Sequence, residues 1–269
     1  MTGSRRNGVV RHLAAFWAMG LLASILAGCA SYVTPGPGAN MALFGATEAD
    51  REKLTDVSIQ AVLERKPLAQ FPTGLAVVRV QSPGYHSATA TGWGSGQYSV
   101  VLTRDIEKDE DFQRFEKLQM VTGVATLTRL LLTERLDSDR ELRRAAASLH
   151  ADMLLIYTLD TDFEIEGHAE PLTVLTLGTL PNQEARVVTT ASAVLLDTRN
   201  GYVYGALEAT EKHTQMANAW TSGEAIDQSR RKTERGAFEK LLSQFEQTWA
   251  GVIAEYAKPH ASPPHPGTP

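Results

Sequence analysis

The stretch "DSDRELRRAAASLHADMLLIYTLDTDFEIE", residues 137–166, changes periodicity halfway along, and that change decides the fold. In its first half Leu142, Ala145, Ala146 and Leu149 recur at the three- and four-residue steps of one helical face. Ser138 or Asp139 stands where such a helix needs a cap, because a short side-chain oxygen can accept from the free N–H groups of the first turn. The run "MLLIYTL" that follows is apolar at every position, as a strand buried on both faces of a sheet must be. A helix feeding a central strand is half of a crossover connection, which implies a parallel neighbour in the same sheet.

Working outward, "LAVVRVQ" (75–81) supplies that neighbour, with Val78 and Val80 alternating against Val77 and Arg79. Before it, "TEADREKLTDVSIQAVLERKP" (47–67) predicts a helix. Thr47 and Asp50 have capping-box spacing, Leu54, Val57, Ala61 and Val62 share a face, and Pro67 ends it. After a loop "SPGYHSATATGWGSG", the pattern predicts a strand at "QYSVVLT", a charged helix around "DEDFQRFEKLQ" and a buried strand at "LTRLLLT". Downstream, "RVVTTASAVLLD" and "YVYGALEATEK" read as two strands joined at "TRNG", where Asn200 and Gly201 would supply the positive φ angles of a tight hairpin. Phe238, Leu241, Leu242, Phe245, Trp249, Val252, Ile253 and Tyr256 then mark a long closing amphipathic helix that ends near Lys258 and Pro259. The expected fold class is α/β (α+β): a mixed sheet covered by helices, with a hairpin and a long C-terminal helix, in one domain over residues 47–257.

The ends of the chain have a different character. Arg5, Arg6 and Arg11 precede "LAAFWAMGLLASILA", a charge-free run of about fifteen residues, which suits a signal peptide and is short for a membrane span of ~20. It runs into "LAGC", and Cys29 is the chain's one cysteine, so neither an internal disulfide nor a cysteine-based zinc site is available. Residues 1–28 are expected to be a signal peptide. "ASYVTPGPGAN", with its two Pro-Gly pairs, reads as a linker within residues 29–46. The tail "KPHASPPHPGTP", residues 258–269, reads as disordered.

Leu26-Ala27-Gly28-Cys29 resembles the lipobox of bacterial lipoprotein precursors. The resemblance implies cleavage before Cys29, lipidation of its thiol and acylation of the freed amine. Each buried CH₂ contributes ~0.8 kcal/mol, so several chains would tether the body firmly where one holds it marginally. The alternative is an ordinary signal peptide or weak anchor with an incidental cysteine. Ala30 and Ser31 follow the cysteine with no acidic residue, which by resemblance to sorted lipoproteins implies the periplasmic face of the outer membrane, with the inner membrane as the alternative.

The stretches "LRRAAASLHADMLLIYTLD" and "ASAVLLDTRNGYVYGALEA" together resemble the family containing the periplasmic domains of the curli secretion lipoprotein CsgG, the penicillin-binding-protein activator LpoB and the TolB amino-terminal domain. Ala151-Asp152 and Asp197-Thr198-Arg199-Asn200-Gly201 stand at the matching places, and the likeness runs from Leu75 to Lys212. His150 replaces the family's usual glycine, and Asn200-Gly201 its Thr-Gly. The resemblance implies a periplasmic module that binds or assembles other envelope components, and no catalytic residues. The secretion channel of that family also builds a barrel from hairpins. The candidate here, "EPLTVLTLGTLPNQEARVVTTASAVLL", carries Pro171 and Pro181 and lacks an aromatic girdle.

Chemistry is sparse. Lys+Arg 26 against Asp+Glu 31 leaves a formal −5, and the three leader arginines make the remainder more acidic still, which argues against nucleic acid. Asp160, Asp162, Glu164 and Glu166 share one strand face, but neighbours about 7 Å apart do not chelate one cation, so the face reads as solvated. His86, His150, His168 and His213 have no ligand spacing, and His260 and His265 lie in the tail, so no metal and no cofactor is expected. "TGWGSGQ" lacks the residues of a phosphate loop. It reads as a tight turn, with Trp93 either pinning it or meeting a partner, and Ser95 is wrongly spaced for a nucleophile elbow. The expectation is therefore a non-catalytic, lipid-anchored module with another envelope protein as partner. The alternatives are a tethered hydrolase using the loop Ser82 to Gly96, and an oligomeric pore.

Overall fold

The computed structural model describes residues 32–45, 55–167, 183–216 and 223–257. Strand β1 (Thr73–Gln81) runs through the middle of the sheet and is buried at every position but Gly74, because helices cover both faces. On one side it pairs in parallel with β7 (Met153–Gly167), Leu75 to Val78 lying opposite Met153 to Ile156. β7 continues antiparallel into β8 (Gln183–Asp197), and β8 into β9 (Val203–Met216).

The other edge of β1 is shared by two strands. Its first half pairs in parallel with β5 (Val121–Thr126), as far as Val77 opposite Thr126. Its second half pairs antiparallel with β4 (Ser99–Val101), from Arg79 opposite Val101. β2 (Gly92–Trp93) pairs with β4, while β3 (Ser95–Gly96) and β6 (Arg135–Leu136) form a separate two-stranded ribbon. The sheet is mixed and helices cover it, as the sequence predicts.

On one face, helix α4 (Gly223–Tyr256) lays Phe238, Leu241, Leu242, Phe245 and Trp249 over Leu75, Val77, Met153, Leu155 and Leu195, with Phe115 of α2 (Asp109–Glu116) beside them. On the other, α3 (Asp139–Ser148) buries Leu142, Ala145 and Ala146 against Ala76, Val78, Leu154 and Ile156. Alternate residues of one strand thus belong to two different cores. The described residues from Val33 onward cluster as one unit.

α3 starts at the Ser138 cap, with Glu141 completing a capping box, as its sequence suggests. It ends in a Schellman motif: the Ala151 N–H donates to Ala146 O and the His150 N–H to Ala147 O, both at 3.0 Å. That motif needs a left-handed residue, and His150 takes φ +56°. A glycine at this place would take the same φ without a Cβ penalty.

Several expectations change. "LTRLLLT" is not a buried strand: Arg129–Leu131 forms a 3₁₀ turn, and Leu130 is 87% exposed. The strand at that edge of β1 is the preceding "VTGVAT". The first helix, α1 (Asp56–Leu63), starts at a Thr55–Ser58 capping box, and Thr47 and Asp50 lie outside the described residues. None of its residues is buried; Val57 and Leu63 lie open. At "TRNG" only Gly201 takes a positive φ. Asn200 instead bridges, its Oδ1 accepting from the Tyr202 N–H and its Nδ2 donating to Lys66 O, so the turn is longer than a two-residue hairpin.

The Pro-Gly segment packs onto the body where a free spacer was expected. Gly38 bridges to Gln81, Gly36 N–H donates to His86 O, and Ala39 N–H donates to Thr158 Oγ1 at 2.8 Å. Phe44 is buried edge-on to Tyr98. The expected signal peptide, Cys29, the tail 258–269, His168, Pro171 and Pro181 all lie outside the described residues. Among the described residues no helix is long and apolar enough to cross a membrane.

Candidate functional site

β4 and β5 meet end to end along one edge of β1, and the notch between them opens a cleft of about 360 Å³. Its lining comes from β1 (Val77, Val78, Arg79), from Leu102 to Arg104 after β4, from Thr126 to Leu130 after β5, and from Glu107, Phe112 and Tyr157. A crevice where neighbouring strands diverge is the usual place for a ligand in open α/β sheets, since backbone and side chains from several elements converge there.

Beneath the cleft lies a buried ionic cluster. Arg79, 3% exposed, donates from Nη1 to Asp105 Oδ1 at 2.9 Å and lies 3.6 Å from Glu107 Oε1; Nη2 reaches Tyr85 Oη at 3.3 Å. Arg230 of α4 bonds Asp227 at 2.9 Å and Glu234 at 2.6 Å, and donates to Thr89 Oγ1 at 2.7 Å. Thr89 in turn donates to Asp105. Thr161 donates to Glu234 Oε1, and Tyr157 donates to Glu107 Oε1 at 2.6 Å. Asp105, Glu107, Asp227 and Glu234 face Arg79, Arg230 and the half-exposed Arg231, so carboxylates exceed guanidinium groups by one. Arg79 Nε is buried without a hydrogen-bond partner.

Opposing forces set the titrations. Burial pushes the Asp105 carboxyl up, yet the charges of Arg79 and Arg230 and the Thr89 hydrogen bond together hold it below the ordinary carboxylate value. Glu234 goes the other way: burial outweighs the attraction of both arginines and raises it. Burial, reinforced by the neighbouring Glu107 charge, raises the Tyr157 phenol well above its ordinary value, so it remains a donor. Both Arg79 and Arg230 stay charged, because the surrounding carboxylates more than offset their burial.

At the mouth, Arg104 lies flat on Phe112, its guanidinium carbon 4.1 Å from the ring centroid, and pairs with the exposed Asp109 at 3.1 Å. Arg129, on the 3₁₀ turn, is exposed, and its side chain makes no ion pair or hydrogen bond among the described residues.

The residues singled out in the sequence fall elsewhere. Trp93 is half-buried in β2 against the second core, which favours the pinning role. Gly94 and Gly96 take φ +97° and +109°, the tight turning expected of that loop. His86 Nδ1 lies 3.2 Å from Thr91 Oγ1 on an exposed bridge outside the cleft. Elsewhere in the Ser82–Gly96 loop Tyr85, Ser87 and Ala90 are buried and the Thr89 hydroxyl joins the ionic cluster. Asp160, Asp162 and Glu164 face solvent, and among the described residues no three acids, histidines or cysteines are placed to hold a metal ion. The two stretches that carry the family resemblance meet in space: Met153 is registered opposite Asp197, Thr198 N–H donates to Asp152 O, and Arg199 pairs with the Asp152 carboxylate.

Sequence reasoning missed Arg79, Asp105, Glu107, Arg230 and Glu234. One signal was present. Asp227, Arg230 and Glu234 sit in phase with Phe238, Leu241 and Phe245, so the buried stripe of α4 continues as charge. In comparisons with known proteins the chain matches no family model, and no curated protein is significantly similar to it.

Proposed function

We propose that this chain is a bacterial envelope lipoprotein, anchored by acyl chains on Cys29, whose body acts as a periplasmic binding or assembly module through the cleft between β4 and β5. The observation that carries the binding role is the cleft itself, lined by Val77, Val78, Leu102 and Leu127, open at the sheet's divided edge and flanked by two arginines. The anchor rests on the order of charge, apolar run and "LAGC" at residues 5–29, and the absence of an acid after Cys29 favours the outer membrane's periplasmic face. The likeness to the CsgG, LpoB and TolB group supports an assembly role over a catalytic one. A hydrolase on the Ser82–Gly96 loop is the weaker reading, because that loop spends its buried hydroxyls on its own turn and on the ionic cluster.

The test is photo-crosslinking in intact cells with a full-length protein carrying the reactive group at Leu130 on the cleft rim, with Leu63 on α1 as an equally exposed control. A discrete adduct from Leu130 alone is expected. Equal labelling from both positions, or none from Leu130, overturns the cleft as the working surface. The same strain fed a palmitate analogue should lose label in Cys29→Ala, and retained label overturns the anchor.

A further inference from the structure

We propose that the cleft takes a small zwitterion with an apolar body, a free di- or tripeptide, with its ammonium group at Glu107 and its carboxylate at Arg129 and Arg104. This narrows the ligand of the binding site proposed above and rests on that reading.

The inner end is decided by Glu107. Its side chain is 3% exposed, lines the cleft, and receives one hydrogen bond, from Tyr157 to Oε1. Arg79 Nη1, 3.6 Å from that same Oε1, pairs with it by charge beyond hydrogen-bond reach, while Oε2 accepts no hydrogen bond among the described residues and is not sealed from the cleft. A carboxylate oxygen that only cleft solvent can satisfy is free to exchange water for a ligand N–H, and a charged donor gains most from that exchange. The cluster also holds one carboxylate in excess, which favours a positive donor over a neutral one.

The outer end is decided by the arginines. Arg129 is unpaired, and the partner of Arg104 is a carboxylate so exposed that the pair contributes little and exchanges readily. Two guanidinium groups at a mouth, one braced against an aromatic ring, suit a planar carboxylate. Between the ends lie Val77, Val78, Leu102 and Leu127, which suit aliphatic side chains. A fatty acid would satisfy the mouth but press methylenes against Glu107. A phosphate or nucleotide reaching the floor would set like charges together. The volume is at the small end for ligand sites, which fits a peptide of two or three residues.

Calorimetry on the full-length protein in detergent, with L-valyl-L-leucine as the probe, tests the assignment. Saturable binding is expected, weakened about tenfold or more by N-acetylation and several-fold by C-terminal amidation. Glu107→Gln should remove the preference for the free amine, and Arg129→Ala the preference for the free carboxylate. Should Glu107→Gln fail to fold, the capped peptides on the native chain decide alone. No heat up to ~10 mM, or equal binding of free and capped peptides, overturns the ligand assignment. A Leu130 adduct alongside such a failure removes the peptide while leaving the binding module standing.

Discussion

Arg79 occupies a strand position whose face otherwise carries Leu75 and Val77, and it is as buried as they are. Truncating one member of a buried ionic cluster leaves its partners charged and unpaired, which costs more than the contact itself contributes. Arg79→Met is therefore expected to lose ~3–5 kcal/mol in equilibrium urea unfolding. Glu234→Gln should lose less than ~1 kcal/mol, because glutamine can still accept from Arg230 while removing the surplus charge. Equal losses would show that the surplus does not matter. The pH dependence has two opposite parts. Asp105, held below its ordinary value, and Asp111, held low by its Arg235 hydrogen bond against the opposing effect of burial, contribute stability that is present above ~4 and is lost as pH falls through their lower native values. Asp105→Asn should accordingly flatten the acid limb of the stability curve. Glu234, raised by burial, contributes stability below ~4.3 that is lost as pH rises through its native value. The deficit of Glu234→Gln relative to the native chain should therefore shrink from pH 4 toward neutrality, and a constant difference would contradict the raised carboxyl.

Among the elements, α3 was the most legible from the sequence and α4 only half so. Cap, face and following strand of α3 are all local, and local rules sufficed, except that a histidine at the left-handed position was read only as a departure from the family pattern. His150→Gly is expected to raise stability by ~0.5–1 kcal/mol in thermal or urea unfolding, since glycine adopts φ near +56° without the Cβ penalty. His150→Val should do the reverse; a neutral pair of variants would mean the turn relaxes away from this geometry. In α4 the apolar stripe from Phe238 onward was plain, but its charged continuation was not read, because burial of Arg230 depends on Asp105 and Thr89, more than a hundred residues away. The strand at β5 was missed for a related reason. "LTRLLLT" is more apolar than "VTGVAT", yet the backbone of β1 is free to pair only along Thr73 to Val77 on that edge, and the milder segment is the one that reaches it.

For the whole molecule, the sheet and its helical cover could be derived from periodicity, whereas the cleft could not. It exists because two strands share one edge of β1 and part at Val78, and its lining is drawn from segments scattered between Val77 and Tyr157. No window of sequence holds that arrangement. The same distance between cause and effect applies to the Pro-Gly segment, whose composition spoke for a free spacer while its backbone groups found partners on β1 and β7. With Gly36 already fastened, a lipid on Cys29 leaves seven residue steps of slack, at most about 25 Å when fully stretched. If the proposed anchor holds, such a leash would let the body pivot over the headgroups but not roam the space between two membranes. On that proposal, whatever it meets would have to be delivered to the bilayer surface, within one protein diameter of the lipid.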